Sequence, residues 1–134
     1  MSTNHRTAWT WLTAAVLAHL VVSLVHGFAH ASANVPLSRA ANLFVFIVIL
    51  AGPLIGLAVA WPASRLGAWI ISATMAGSLV FGLVMHFVIE GPDHVSHVAA
   101  GWRAIFATTA LLLAVTEALG CGLALRLARE RNRS

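Results

Sequence analysis

Polar residues fall in bunches along this chain, and between them run four apolar stretches, over residues 8–30, 40–61, 67–90 and 102–127. Each is long enough to cross a hydrocarbon layer of about 30 Å, which takes roughly 20 helical residues. None has the strict alternation of a half-buried strand. A segment in lipid must satisfy its backbone internally, so the pattern predicts helices. The breaks are too short to hold a second unit. The expected fold is all-α: an integral membrane protein forming an antiparallel four-helix transmembrane bundle, a single domain over residues 1–134.

Punctuation within the pattern refines these elements. Gly52-Pro53 falls near the middle of the second stretch, where a proline removes a helix hydrogen bond and crowds the preceding turn, so a kink is expected. Ser38 follows the extended-looking Asn34–Leu37 and suits an N-cap. Gly91 can take the left-handed conformation that ends a helix, and Pro92 suits the first position of a new turn. Asp93, His94 and His97 are therefore expected on a short re-entrant or interfacial turn.

Polar residues inside the stretches lie on particular faces. In the first, His19, His26 and His30 recur at seven- and four-residue steps, a single line on a helix, with Ala15 and Ser23 beside them. In the third, Ser78, Gly82, His86 and Glu90 repeat every four residues, a ridge that starts with small residues of the kind that lets membrane helices approach closely. In the fourth, Ala107, Ala110, Ala114, Glu117 and Cys121 share a face, which turns Glu117 inward.

Composition agrees with the bilayer. Of 134 residues, 60% are hydrophobic and 9% charged, against roughly 25% charged in soluble domains. The net charge of +4 does not point to nucleic acid, because its arginines sit near the ends of the stretches. Arg6, Arg65 and the cluster Arg126, Arg129, Arg131 and Arg133 mark the cytoplasmic side, so both termini and the link at 62–67 are expected there. The loops at 32–42 and 91–101, with Arg39 and Arg103, then face the exoplasmic side of the cell membrane. Arg6, the first apolar stretch and Ala31-Ser32-Ala33 mimic a signal peptide, but the apolar run exceeds the usual ~7–15 residues and contains His19 and His26, so a spanning helix is the expectation.

This topology brings His26 and His86 to one depth, four residues or roughly 6 Å below the span ends near His30 and Glu90, with Asp93, His94 and His97 of the outer loop above. His26/His30 and His86/Glu90 each have the four-residue spacing that aims two ligands at one point. The expected metal ligands are His26, His30, His86, Glu90, His94 and His97. His19, Asp93, Arg103 and Glu117 are expected to orient them or to continue a proton path inward; a protonated Glu117 bonded to His19, Ser23 or Thr109 would instead tie helices together. Cys121 is the only cysteine, which excludes thiolate clusters. A set of nitrogen and oxygen donors suits zinc, copper or iron better than calcium or magnesium.

The leading expectation is a membrane metalloprotein with its site near the outer face, an oxidoreductase or a hydrolase if it is catalytic. A second is a b-type haem protein with His26 and His86 as axial ligands and Ser23, Gly27, Ala29 and Gly82 making room for the ring. A third is a metal or proton-coupled transporter using His19 and Glu117. The expected partner is the lipid bilayer, with a homo-oligomer or a larger membrane complex as further associations.

Overall fold

The computed structural model describes residues 3–61 and 64–130, with only the backbone of residues 3–5. Pro62 of the link expected on the cytoplasmic side, and Arg131 and Arg133 of the terminal cluster, lie outside the described residues. The described residues are helical with no strand: α1 Thr3–Ser32, α2 Arg39–Phe44, a π-helical segment Val45–Ala51, α3 Gly52–Ala60, α4 Arg65–Phe87 and α5 Ala100–Glu130. Four helical runs, Arg6–Ser32, Arg39–Ala60, Arg65–Phe87 and Ala100–Glu130, are long and apolar enough to cross a membrane.

α5 packs against both α1 and α4, and α3 packs on α4. One apolar core gathers Leu12, Val16, Ile71, Met75, Ala124 and Leu127 at one end of the bundle. A smaller one at the other end joins Ala29, Val98 and Phe106, flanked by Val35 and Trp102. α3 meets α4 through glycines: a Cβ on Gly56 would press on the Ile71 side chain, and one on Gly67 would strike the Ala60 backbone. Side chains there would hold the two helices apart.

Pro53 disturbs its run as its chemistry requires. It has no N–H for the carbonyl of Ile49, four residues back, and the preceding turns loosen into the π-helical segment. His19 Nε2 lies 3.1 Å from Ile49 O and supplies a donor from the neighbouring helix. Ser38 caps α2, its Oγ accepting from Ala41 N at 3.1 Å.

Two helix ends shape the far end of the bundle. α1 closes at Asn34, the only non-glycine residue among those described with positive φ, at 53°. Val35 N donates to His30 O and Asn34 N to Ala31 O, the paired bonds of a Schellman ending. Gly91, expected in the left-handed region, is not there, because no described glycine has positive φ. α4 instead ends at Phe87, before Glu90, with Val88 N and Ile89 N both donating to Val84 O. The chain then folds back, and Val95 N donates to His86 O at 3.0 Å.

Candidate metal centre

His26, His30 and His86 converge where α1, α4 and α5 meet. Each offers one ring nitrogen, and these atoms lie within 4.8 Å of one another. All three side chains are buried around the Phe106 ring, whose centroid is 4.7 Å from those of His26 and His30 and 5.1 Å from that of His86. The two α1 histidines share a face because they are one helical turn apart.

Hydrogen-bond partners constrain the tautomers of two rings. Thr109 Oγ1 donates its single proton back to the helix, to Ile105 O at 2.8 Å or Phe106 O at 3.1 Å. With that proton spent, it accepts from His26 Nδ1, 2.8 Å away, and leaves the lone pair of His26 on Nε2; with the hydroxyl proton turned to His26 Nδ1 instead, Nε2 carries the ring proton and donates to His86 Nε2. His86 Nδ1 lies 3.2 Å from the Asp93 main-chain oxygen and 3.2 Å from Asp93 Oδ1, both acceptors, so it too carries a proton. In the first arrangement both Nε2 lone pairs of the neutral rings face each other across 3.2 Å. Two lone pairs at that separation repel unless a cation or a shared proton lies between them.

Asp93 makes the same demand from the loop. It is 3% exposed, and Oδ1 lies 3.1 Å from His30 Nε2 and 3.2 Å from His86 Nδ1. These contacts are close but oblique, and neither carboxylate oxygen has a donor aligned with it among the described residues. Burial acts to raise the pKa of this carboxyl. The close approach and charge of His86, followed by the charges of His30 and His26, outweigh it and hold the group below its usual value. Asp93 is thus an ionised group in a buried pocket whose counter-charge must come from the imidazoles or from a cation they hold.

The remaining expected ligands lie elsewhere. Four-residue spacing aligns Glu90 with His86, but that alignment holds only within a helix and α4 has ended by Phe87. The Glu90 side chain is 73% exposed and pairs with His97, itself 49% exposed, at 3.0 Å. His94 Nδ1 bonds Ser96 Oγ at 2.7 Å. Arg103 anchors the loop by donating to Val98 O from Nε and Nη2 and to Ser96 O from Nη2. His19 and Glu117 lie deeper, Nδ1 to Oε1 3.8 Å.

The sequence pattern offers Thr109 only as a partner for Glu117 and gives Phe106 no role. The one signal for Thr109 is its place beside Ala110 at the edge of the α5 stripe. Beside the triad lies a cavity of about 530 Å³ that reaches from His86 and Asp93 down to Ser78 and Glu117. Comparison of the chain with family models, with curated proteins and with solved structures finds no match.

Proposed function

We propose that this chain is an integral-membrane metalloprotein that holds one transition-metal ion at His26, His30 and His86 near the exoplasmic face. The observation that carries the reading is the opposed pair of Nε2 atoms, His26 and His86, 3.2 Å apart, with each Nδ1 beside an oxygen that can accept its proton and His30 close enough to complete a set of three. Two nitrogens on a tetrahedral ion with bonds of 2.0–2.1 Å stand about 3.3 Å apart. The pair already has that spacing, and His30 completes a set of three.

Asp93 is best read as the residue that orients His86 and His30, the outer carboxylate that histidine ligands commonly have. Three histidines leave an open position, as catalytic zinc sites do. A bound ion there would act as a Lewis acid, lowering the pKa of water, or would handle oxygen if it were iron or copper. The cavity gives a substrate access to that position. Zinc, copper and iron all suit the donor set.

The haem reading fits less well. Axial ligands face each other across iron at about 4 Å, twice a metal–nitrogen bond of about 2 Å, with a clear plane between them. Here the pair is closer, and His30 and Phe106 occupy the flanks, their ring centroids 4.8 and 4.7 Å from that of His26. Membrane residence is supported by the outward faces, where Val21, Leu24, Phe28, Leu111, Val115 and Leu119 are exposed. The arginine distribution supports cytoplasmic termini.

Elemental analysis of detergent-purified protein tests the proposal. About one equivalent of zinc, copper or iron is expected, without an intense Soret band, and His26→Ala or His86→Ala should remove it. Folded protein with no metal after metal supplementation, or unchanged stoichiometry in both variants, overturns it.

A further inference from the structure

The cavity has polar groups at two ends and an apolar middle. At the upper end are the histidines and Asp93; Phe81 and Leu113 line the wall; Ser78 and Glu117 form the floor. The metal reading leaves the floor without a role. Ser78 is fully buried, and its Oγ has no hydrogen-bond partner among the described residues. Glu117 is 3% exposed, and His19 Nδ1, 3.8 Å from Oε1, is beyond hydrogen-bond distance. Helix hydroxyls normally bond back to a carbonyl, as Thr74 and Thr116 do here, so the Ser78 hydroxyl is an unspent donor buried just beneath the cavity floor.

The side of the cavity is open. Leu24 on α1 and Phe46 on the π-helical segment both line it and are 60% and 63% exposed, and Gly27 lies beside them. α1 and the second helical run touch only sparsely, so the opening lies between them, facing the bilayer in a membrane-embedded chain. A molecule arriving there comes from lipid.

Spacing limits what fits. Ser78 and His86 are eight residues apart on α4, as are Thr109 and Glu117 on α5, so the polar ends are separated by about 12 Å of helix rise. Hydrogen bonds at both ends take up roughly 6 Å. The remaining 6 Å or so is the span of a six-membered ring bearing oxygens at opposite positions. We infer that the cavity binds an alkylated para-quinol or quinone, one oxygen toward the metal centre and the other toward Ser78 and Glu117, with its tail leaving between Leu24 and Phe46. A volume of about 530 Å³ lies within the usual range for sites of this kind. The upper contact rests on the proposed metal centre; the floor and the opening do not.

The test is calorimetric titration of 2-decylhydroquinone, under anaerobic conditions, into metal-loaded protein in nanodiscs, with empty nanodiscs subtracted and metal content measured on the same preparation. Saturable binding at one molecule per chain is expected, with the matching decylphenol, which lacks one hydroxyl, at least tenfold weaker. A Cβ on Gly27 would meet nothing within 4 Å, so the backbone there accepts a side chain, and Gly27→Leu at the opening should abolish binding while metal content stays constant. Glu117→Leu should weaken binding about tenfold and Glu117→Gln should largely keep it. Heats equal to those of empty nanodiscs, equal affinity for the phenol, or undiminished binding by Gly27→Leu would overturn the inference while a stoichiometric metal left the centre standing. Metal-free protein that still binds the quinol through Gly27 and Glu117 would overturn the metal centre and keep the cavity site.

Discussion

Thr109 touches no metal in the proposed centre, yet in that centre its hydroxyl accepts from His26 Nδ1 and leaves Nε2 to the ion. Thr109→Val keeps the shape and removes the acceptor. The Nδ1 proton of His26, held at 2.8 Å, then either stays buried without a partner or moves to Nε2 and blocks the ligand position. A buried donor left unsatisfied costs about 1–3 kcal/mol, equivalent to roughly a 5- to 150-fold loss of metal affinity. The Ile105 carbonyl still has its helix partner, so the backbone need not adjust. Thr109→Ser keeps the acceptor and should stay within about twofold of the wild type. Competition against a chromophoric chelator in detergent measures both, with helical content by circular dichroism as a control. If Thr109→Val bound zinc as tightly as the parent, the tautomer argument would be wrong, and with it the reason for placing an ion between His26 and His86.

Other consequences can be checked independently. Because Asp93 is held below its usual pKa, its stabilising contribution is fully present above the unfolded value near 3.9 and is lost only as pH falls through the lower folded value. Metal release on acidification to the unfolded Asp93 value near 3.9 should therefore come from imidazole protonation, and Asp93→Asn should weaken binding while releasing the same number of protons per ion, read by potentiometric titration. Gly67→Val should lower the stability of the bundle by about 1–3 kcal/mol through overpacking against Ala60, seen as an earlier unfolding midpoint in dodecyl sulfate, with metal affinity nearly unchanged. His19→Leu should cost about 1 kcal/mol by leaving Ile49 O short of a donor, and less in a Pro53→Ala background where the helix supplies its own; equal costs in both backgrounds would dissociate His19 from the proline.

The four long helical runs were legible because hydropathy and length act over some twenty residues and absorb local irregularities. The meeting of His26, His30 and His86 was legible for a related reason: four-residue spacing and matched depth are properties of regular helices, and all three residues lie inside α1 or α4. Periodicity misleads where regularity stops. Glu90 continues the His86 ridge on paper, but the helix ends first, and backbone folding over His86 brings Asp93 to the place expected of Glu90. Asn34 and Gly91 show the same limit, since either residue type can take the left-handed turn and only the packing of each loop decides which does. Thr109 is hidden because a threonine in an apolar helix usually bonds its own backbone, as this one also does, and nothing local reveals that its lone pairs serve a ring on another helix.

How the buried polar groups are partnered separates structural from chemical roles. Each polar group near the middle of the bundle that ties helices together has an answer: His19 has Ile49 O, Ser72 has Cys121 Sγ at 3.6 Å, and Thr74 has its own helix. An unanswered buried group costs about 1–3 kcal/mol, more if charged. Groups of that kind, among them the Asp93 carboxylate and Ser78 Oγ, lie along the wall of the same cavity. A random scatter of poorly packed polar atoms would fall on several helix interfaces. The Asp93 carboxylate, Ser78 Oγ and His30 Nδ1 border one cavity, with His19 Nδ1, 3.8 Å from Glu117 Oε1, set outside it, and that grouping has a physical reason if the partners are an ion and a ligand that the bundle is built to receive.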